Sequence, residues 1–346
     1  MKKRLLSAFM ALALCLTLLP TPARAEETAG GAAQIGDTVY STLPEAVNAA
    51  QDGDTIKLLA DYKTAEGAGD EEESGLTITK SVTLNLNGHG MDDFRVVQVN
   101  DAGKTLPSGN LTVEDTSAEK TGKVTGTIEL LAGNLTINGG TIGDGRDGVS
   151  IENGNLTVNG GTMDCLYGSN SGTVKIAGGT VKNAQLVGDF EITVTGGSGH
   201  TGLWDVSEGK WNISGGEFGE VMFKTESPAK NAPISGGTFG KITRQNLQNN
   251  TETPAPISGL LADGYAFYEK TDSGEYDGYV NLDDAITSLE NVQVKRHTHE
   301  VVNGVCTVCK QQMKAKTIAS DGAEKYYLNL QDAFAGVADG GTVTML

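Results

Sequence analysis

A short phrase, an alternating strand followed by two glycines, recurs six times in the middle of the chain. The glycine pairs begin at Gly139, Gly160, Gly178, Gly196, Gly215 and Gly236. They are 21, 18, 18, 19 and 21 residues apart, which is the period of a solenoid coil and too short for a propeller blade. Alternation directs the apolar side chains inward, and the glycines allow tight turns and close stacking. The repeat therefore predicts an all-β fold, a right-handed parallel β-helix.

Other solenoids fit this pattern less well. A leucine-rich horseshoe would show a spaced leucine code and helical segments, and a calcium-binding nonapeptide helix would repeat G-G-x-G-x-D. Neither is present. The segments 76–88 and 110–115 alternate in the same way and are predicted to form the first coils, with the acidic stretch 65–74 as a loop.

A helical cap is predicted before the coils. Residues 44–50 form a short amphipathic helix with Leu43, Ala46 and Val47 on one face, and residues 55–59 form a strand. Such a helix would cover the first coil, because the ends of a solenoid must be protected from solvent and from edge pairing.

The cap phrase returns at the C-terminus. Tyr40 aligns with Tyr327 and Leu59 with Leu346, 287 residues apart in each case and without a gap. We therefore expect residues 315–346 to begin a second β-helix module, with the sequence being a fragment. The intervening residues 248–294 are predicted to form a linker and small α/β cap, in which Tyr279, Leu282 and Ala285 repeat the pattern of the helical cap.

The first 25 residues are typical of a secretory signal peptide. Three basic residues precede the apolar run 5–19, and Ala23-Arg24-Ala25 offers a cleavage site. The alternative is an uncleaved anchor, but the run is short for a span of about 20 residues. The prediction is thus a secreted or cell-surface protein without a membrane span in its mature part. Its predicted segments are a flexible 26–36, the β-helix module 37–247, the linker 248–294, a His/Cys segment 295–314 and the second module from 315.

Charge and cysteine content narrow the partners. The net charge of -18 argues against nucleic acid and anionic membranes. Three cysteines remain after the signal peptide, too few for a disulfide framework. The fold must therefore be stabilised by its core, with Cys165 expected to point inward.

A metal site is predicted from His297, His299, Cys306 and Cys309. Two imidazoles and two thiolates can form a closed tetrahedral zinc site of the structural kind, and Gly304 suits a tight turn leading into it. Two alternatives stay open: the CxxC could form a local disulfide outside the cytosol, or the histidines could be exposed linker residues.

The cap at 40–59, the Leu-Asn-Leu-Asn-Gly phrase at 84–88, the Gly-Gly-Thr coils and the phrase at 260–265 together resemble the pectin-lyase-like β-helix surface proteins of anaerobic gut bacteria. These are modular exported proteins, mostly without an assigned activity, and similar His/Cys segments lie between their modules. The resemblance specifies the fold better than the function. A regular coil without a converging catalytic set predicts a non-catalytic structural, adhesive or glycan-contacting role, with a host or dietary glycan or another surface protein as partner.

The alternative function is that of a polysaccharide lyase or glycoside hydrolase. Hydrolases on this fold use paired aspartates and a Gly-His-Gly segment on separate coils, whereas residues 87–93 place all of these in one loop. The closest set for a lyase is Asp144, Arg146 and Asp147, for which an exposed ion pair is the simpler interpretation. No catalytic residue is therefore assigned. Trp204 and Trp211 are candidate sugar-stacking residues, with core packing as the alternative.

Overall fold

A computed structural model describes residues 31–63, 76–96, 109–205, 210–225, 234–248, 251–262, 264–282, 285–307 and 312–346. The predicted signal peptide, the acidic loop 65–74 and Cys309 lie outside these ranges. Within them, no helix has the length and apolar character needed to cross a membrane.

The parallel β-helix prediction is confirmed: successive coils stack strand upon strand in three parallel sheets. The first sheet contains Thr55–Leu58, Val82–Asn85, Asn110–Glu114, Asn134–Ile137, Asp189–Val194 and Lys210–Ile213. The second contains Gly90–Met91, Lys123–Val124 and Thr141–Ile142. The third contains Leu76–Ile78, Phe94–Val96, Ile128–Leu130 and His200–Asp205. Longer strands turn a corner and belong to two or three sheets: Gly148–Val158, Thr162–Ile176, Thr180–Leu186, Glu217–Thr225 and Thr238–Gln248.

The register places equivalent residues of successive coils directly above one another. Leu135 pairs with Leu156, Leu156 with Val174, Val174 with Ile192, and Ile192 with Trp211. All five are buried and belong to one continuous core that runs the length of the solenoid. The alternating pattern therefore produces an inward apolar stack, as the sequence predicts.

Polar side chains form a matching ladder on the outer face of the first sheet. Asn134 donates from its amide Nδ2 to Oδ1 of Asn110, and Asn155 donates likewise to Asn134 at 2.8 Å. Such stacks satisfy amide groups at the coil spacing of neighbouring parallel strands. The exposed face thereby helps to hold the register that the core requires.

The glycine pairs lie where two backbones come closest. Gly179, the second of its pair, has φ +70°, a conformation that disfavours any residue with a Cβ. A Cβ built there would lie 2.7 Å from the Gly161 carbonyl oxygen of the preceding coil. Glycine is thus required at this position both by the turn and by the stacking distance.

The predicted N-terminal cap is present. A hairpin of Ala33–Ile35 and Thr38–Tyr40 leads into the helix Leu43–Ala49, and Ala33–Ile35 pairs antiparallel with Thr55–Leu58. Thr42 caps the helix by accepting the backbone N–H of Glu45 at 3.3 Å. The buried residues of the helix are Leu43, Ala46 and Val47, the face expected from the sequence.

The other end of the solenoid is covered by antiparallel strands. Ser288–Arg296 and Thr251–Pro254 both pair with Thr238–Gln248. The strands Tyr265–Lys270 and Tyr276–Tyr279 extend this layer, and a 3-10 helix spans Ile257–Leu260. The helical pattern expected around Tyr279 and Leu282 includes residues 283–284, which lie outside the described ranges.

Two small elements follow. Val301–Val302 and Val305–Cys306 form a two-stranded hairpin. Then Ala315–Ile318, Glu324–Tyr327, the helix Leu330–Gly336 and Thr342–Met345 form a unit with the element order of the N-terminal cap. Its central strand pairs antiparallel with the other two, as Ala33–Ile35 does in the cap. The sequence repeat is therefore also a structural repeat.

The glycine requirement predicts that Gly179→Ala destabilises the solenoid more than Gly36→Ala. Both residues have positive φ, +70° and +54°, and share a backbone strain of about 1–2 kcal/mol with alanine. Only the Gly179 substitution forces two coils apart, because nothing lies within 4 Å of a Cβ at Gly36. We expect an additional loss of about 1–3 kcal/mol, typical of overpacking. Equilibrium denaturant unfolding measures it, and equal losses would contradict the stacking argument.

Candidate functional site

The two tryptophans proposed as sugar-stacking residues are in the core. Trp204 is 0% exposed and Trp211 is 1% exposed, and their rings lie 5.7 Å apart within an aromatic cluster. The indole Nε1 of Trp204 donates to the Thr201 carbonyl oxygen at 3.1 Å. Neither ring presents a face to a ligand, so the core-packing alternative describes them, and the ligand-binding interpretation is wrong for this structure.

His200 belongs to the same cluster, with its ring 4.9 Å from Phe218 and 5.5 Å from Trp204. Its Nδ1 accepts the backbone N–H of Val181 at 3.1 Å, so its Nε2 carries the proton and faces the Gly196 carbonyl oxygen at 3.1 Å. Burial lowers the pKa of His200 below its ordinary value. The imidazole is therefore a neutral core residue.

The loop 87–93, compared above with hydrolase motifs, uses its groups to hold neighbouring coils. Asp93 Oδ1 accepts the backbone N–H of Thr127 at 2.6 Å, and Asp92 Oδ1 accepts the hydroxyl of Thr125 at 3.2 Å. His89 lies 3.5 Å from Asp61. These contacts support the interpretation of this loop as a structural turn.

One stretch of the solenoid does bring acids and a base together from different coils. Asp147 accepts a hydrogen bond from the hydroxyl of Thr127, and Asp164, one coil further on, accepts from the backbone N–H of Gly145 at 2.6 Å. On the next coil, Lys182 Nζ lies 2.5 Å from Asp164 Oδ1. The amine is therefore the counterion of a buried carboxylate.

Three of the four residues predicted to bind a metal come together at the junction after the solenoid. His297 directly follows the strand Ser288–Arg296, and its backbone N–H donates to the Gly264 carbonyl oxygen at 2.8 Å. Cys306 ends the hairpin whose turn contains Asn303 and Gly304, both with positive φ as a two-residue hairpin turn requires. This turn returns the chain so that Val301, close to the histidines, pairs with Cys306.

The donor atoms have the spacing of a single metal site. One ligand atom from each of His297, His299 and Cys306 lies within 4.8 Å of the others. The Cys306 Sγ to His297 Nε2 distance is 3.5 Å. Zinc–nitrogen and zinc–sulfur bonds in a tetrahedron would place these two atoms about 3.6 Å apart. The residues present therefore fit a zinc ion, while Cys309, the predicted fourth ligand, is outside the described ranges.

Burial and hydrogen bonding prepare the histidines as ligands. Burial lowers the pKa of both His297 and His299, which favours the neutral imidazoles that bind metals. The Tyr268 hydroxyl lies 3.0 Å from Nδ1 of His297, leaving Nε2 to face the thiol. Such a second contact commonly orients a histidine ligand. Sequence analysis missed Tyr268, because no spacing signal links it to a residue 29 positions away.

The cluster lies between three parts of the chain. Cys306 packs with Met313 and against Tyr279, Tyr326 and Leu328. The antiparallel layer at the end of the solenoid, the hairpin and the C-terminal unit therefore meet here. His297 and His299 also line a cleft of about 710 Å³ between the antiparallel layer and the C-terminal unit. A metal at this point would connect elements that share little other core.

Comparisons with known proteins add no relative: no protein-family model, no curated protein and no solved structure matches the chain.

The buried neutral His200 predicts a stability loss in acid. Its pKa is lowered in the folded state, so below about pH 6.5 the unfolded chain binds a proton that the folded chain does not. Stability should therefore fall with decreasing pH by up to about 1.4 kcal/mol per pH unit, until the folded pKa is reached. His200→Gln removes this contribution, whatever its effect at neutral pH. Unfolding free energies at pH 7.5 to 5 measure the difference between the two chains; parallel curves would contradict the prediction.

Proposed function

We propose that this protein is an exported cell-surface β-helix module with a non-catalytic structural, adhesive or glycan-contacting role, and that a structural zinc joins its solenoid to the unit that follows. The resemblance to pectin-lyase-like β-helix surface proteins of anaerobic gut bacteria belongs to this proposal. The observation that carries it is the position of the metal-binding cluster. Among the described residues, the one set of side chains spaced for a metal lies at the junction and not on the flank of the solenoid.

The flank itself supports a scaffold. Its asparagines bond to one another, and the acids of the loop 87–93 bind the backbone or hydroxyl groups of the next coil. The charge of -18 gives such a surface a solvated, mutually repelling character. Groups engaged in holding coils together are poorly suited to moving protons during a reaction.

The zinc proposal is supported by the small size of the core around the cluster. Cys306 and Met313 are the fully buried residues of that core, with half-buried aromatic and aliphatic neighbours. A hairpin of two-residue strands has little intrinsic stability. Two imidazoles and a thiolate, with Cys309 as the proposed fourth ligand, would supply the missing free energy, as structural zinc sites do in small domains.

We expect the purified chain to contain one zinc per molecule. Chelation should increase protease cleavage between residues 297 and 346 while leaving the solenoid intact. At a zinc concentration 100 times its Kd, the ion stabilises the junction by about 2.7 kcal/mol. Elemental analysis and limited proteolysis with and without chelator measure both effects.

Matched variants separate the zinc from a general effect of losing a thiol. Cys306→Ser should abolish zinc binding, whereas Cys165→Ser, which removes a buried thiol within the solenoid, should retain it. Thiol alkylation distinguishes the disulfide alternative, in which two thiols are protected without metal. A metal-free chain with an ordered junction would overturn the zinc proposal. The scaffold proposal is tested separately, by the assay for uronate release.

The alternative function, a polysaccharide lyase or glycoside hydrolase, is favoured by the set Asp147, Asp164 and Lys182 on three successive coils. A lyase would need Lys182 or a similar base to remove a proton from a uronate. We expect no release of uronate product from pectic or host polysaccharides, because the amine is paired with Asp164. Product release by the original chain that is lost in the Lys182→Ala variant would overturn the scaffold proposal in favour of an enzyme. A glycan array with the same chain tests the glycan-contacting role.

A further inference from the structure

The C-terminal unit reproduces the N-terminal cap down to its capping residues, but no coil strand among the described residues pairs with it as Val82–Asn85 pairs with that cap. Asn329 accepts the backbone N–H of Asp332 at 2.8 Å, at the position where Thr42 accepts that of Glu45. Ala333, like its equivalent Ala46, is fully buried. The inner half of the unit is therefore formed in the same way in both places.

The outer half differs in its exposure. Val47 and Leu58 are 8% and 0% exposed in the cap, where they face the first coils. Their equivalents Phe334 and Met345 are 61% and 73% exposed. The C-terminal unit thus presents an apolar face whose counterpart is buried 287 residues earlier in the chain.

The edge strand of this face is also unpaired on one side. In the cap, Thr55–Leu58 lies between Ala33–Ile35 and the coil strand Val82–Asn85, which runs parallel to it. The equivalent strand Thr342–Met345 is the edge of its three-stranded sheet, and within the described ranges its one strand partner is Ala315–Ile318. An exposed edge with apolar side chains is a template for another strand.

The N-terminal cap shows which groups hold a coil against this kind of unit. Lys80 of the coil donates to the carbonyl oxygens of Asn48 and Ala50 at the end of the helix, at 2.8 and 2.6 Å. The next residue, Ser81, donates its backbone N–H to Asp52 at 2.8 Å and accepts that of Gly53 at 2.7 Å. The coil is therefore recognised by a cation at the helix end and by backbone contacts, not only by apolar packing.

The same groups recur in the C-terminal unit. Asp339 and Gly340 stand at the positions of Asp52 and Gly53, and Gly340 has φ +77° where Gly53 has +94°. The carbonyl oxygens of Ala335 and Val337 stand at the positions of those that bind Lys80. Both the polar and the apolar parts of the coil-binding face are therefore repeated.

We propose that this face, formed by Phe334, Asp339, Gly340 and Thr342–Met345, is the seat of a β-helix coil that pairs in parallel with Thr342–Met345 and places a lysine or arginine at the end of the helix Leu330–Gly336. A second copy of this chain has no such coil to offer within its described residues. Its first coil strand is covered by Ala33–Ile35 and its last by Ser288–Arg296. The occupant is a coil of a further β-helix segment.

The test joins residues 60–346 directly after Leu346, which preserves the 287-residue period and supplies a coil known to fit the equivalent cap. We expect backbone hydrogen exchange at residues 342–345 next to the point of fusion, called here the junction of the joined chain, to slow at least tenfold. Peroxide oxidation of Met345 at this junction should slow similarly. The second Met345, at the end of the joined chain, is an internal control that should stay reactive, and the two are distinguished by mass because different residues follow them.

Met345→Lys at the junction should restore fast exchange there while the first solenoid melts as before, followed by its tryptophan fluorescence. Three outcomes would overturn the proposal. The junction and terminal peptides could react alike; the added coils could stay protease-sensitive while the first module is intact; or the original chain could sediment as a dimer with residues 342–345 protected, which would make a second copy the occupant. Zinc is present in every arm, so that the order of the C-terminal unit is the same throughout, and none of these readouts depends on glycan binding.

Discussion

Backbone pairing between consecutive coils is the interaction on which the rest of this structure depends. Each coil donates and accepts hydrogen bonds along all three sheets. At the glycine turns the coils lie so close together that a Cβ added at Gly179 would be 2.7 Å from the Gly161 carbonyl oxygen of the preceding coil. A coil alone would leave these groups without partners. The core, the asparagine ladder and the glycine pairs all follow from keeping the coils in one register.

The same pairing explains why the sequence predicts the solenoid so well. A periodic structure repeats its constraints, so the alternation around Leu135 and the glycine pair after it recur in each coil and can be recognised without coordinates. The buried helix face of Leu43, Ala46 and Val47 is equally predictable from the sequence, because amphipathic periodicity is a local signal. Features that arise once and depend on distant residues were not. The aromatic cluster that buries Trp204 is formed by several coils, and the contact of Tyr268 with His297 joins two strands of the terminal layer.

The candidate metal centre was predictable in its ligand types and not in its surroundings. The His-x-His and Cys-x-x-Cys spacings are local, and the turn at Gly304 brings Cys306 back towards the histidines. Its position against Tyr326 and Leu328 depends on how the C-terminal unit folds back onto the hairpin. Sequence could therefore suggest zinc, whereas only the structure suggests what a zinc would join. A core of this size gains more from a metal than the long solenoid would, since that core already buries apolar residues along its whole length.

Stacking by backbone pairing has a cost at both ends, because the last coil exposes the groups that the next would satisfy. This chain covers its two solenoid ends differently. The first has a hairpin and helix that present a strand in the parallel direction, and the last has an antiparallel layer that ends the series. The first kind of cover starts a solenoid and the second kind stops one. A second copy of the starting unit, Ala315–Met345 in its strands and helix, lies after the stopping layer. The described residues therefore run in the order starting unit, coils, stopping layer and second starting unit, and the candidate metal cluster lies between the last two. A metal placed there would fix the position of the second starting unit against the antiparallel layer, at the point where the parallel pairing of the coils has ended.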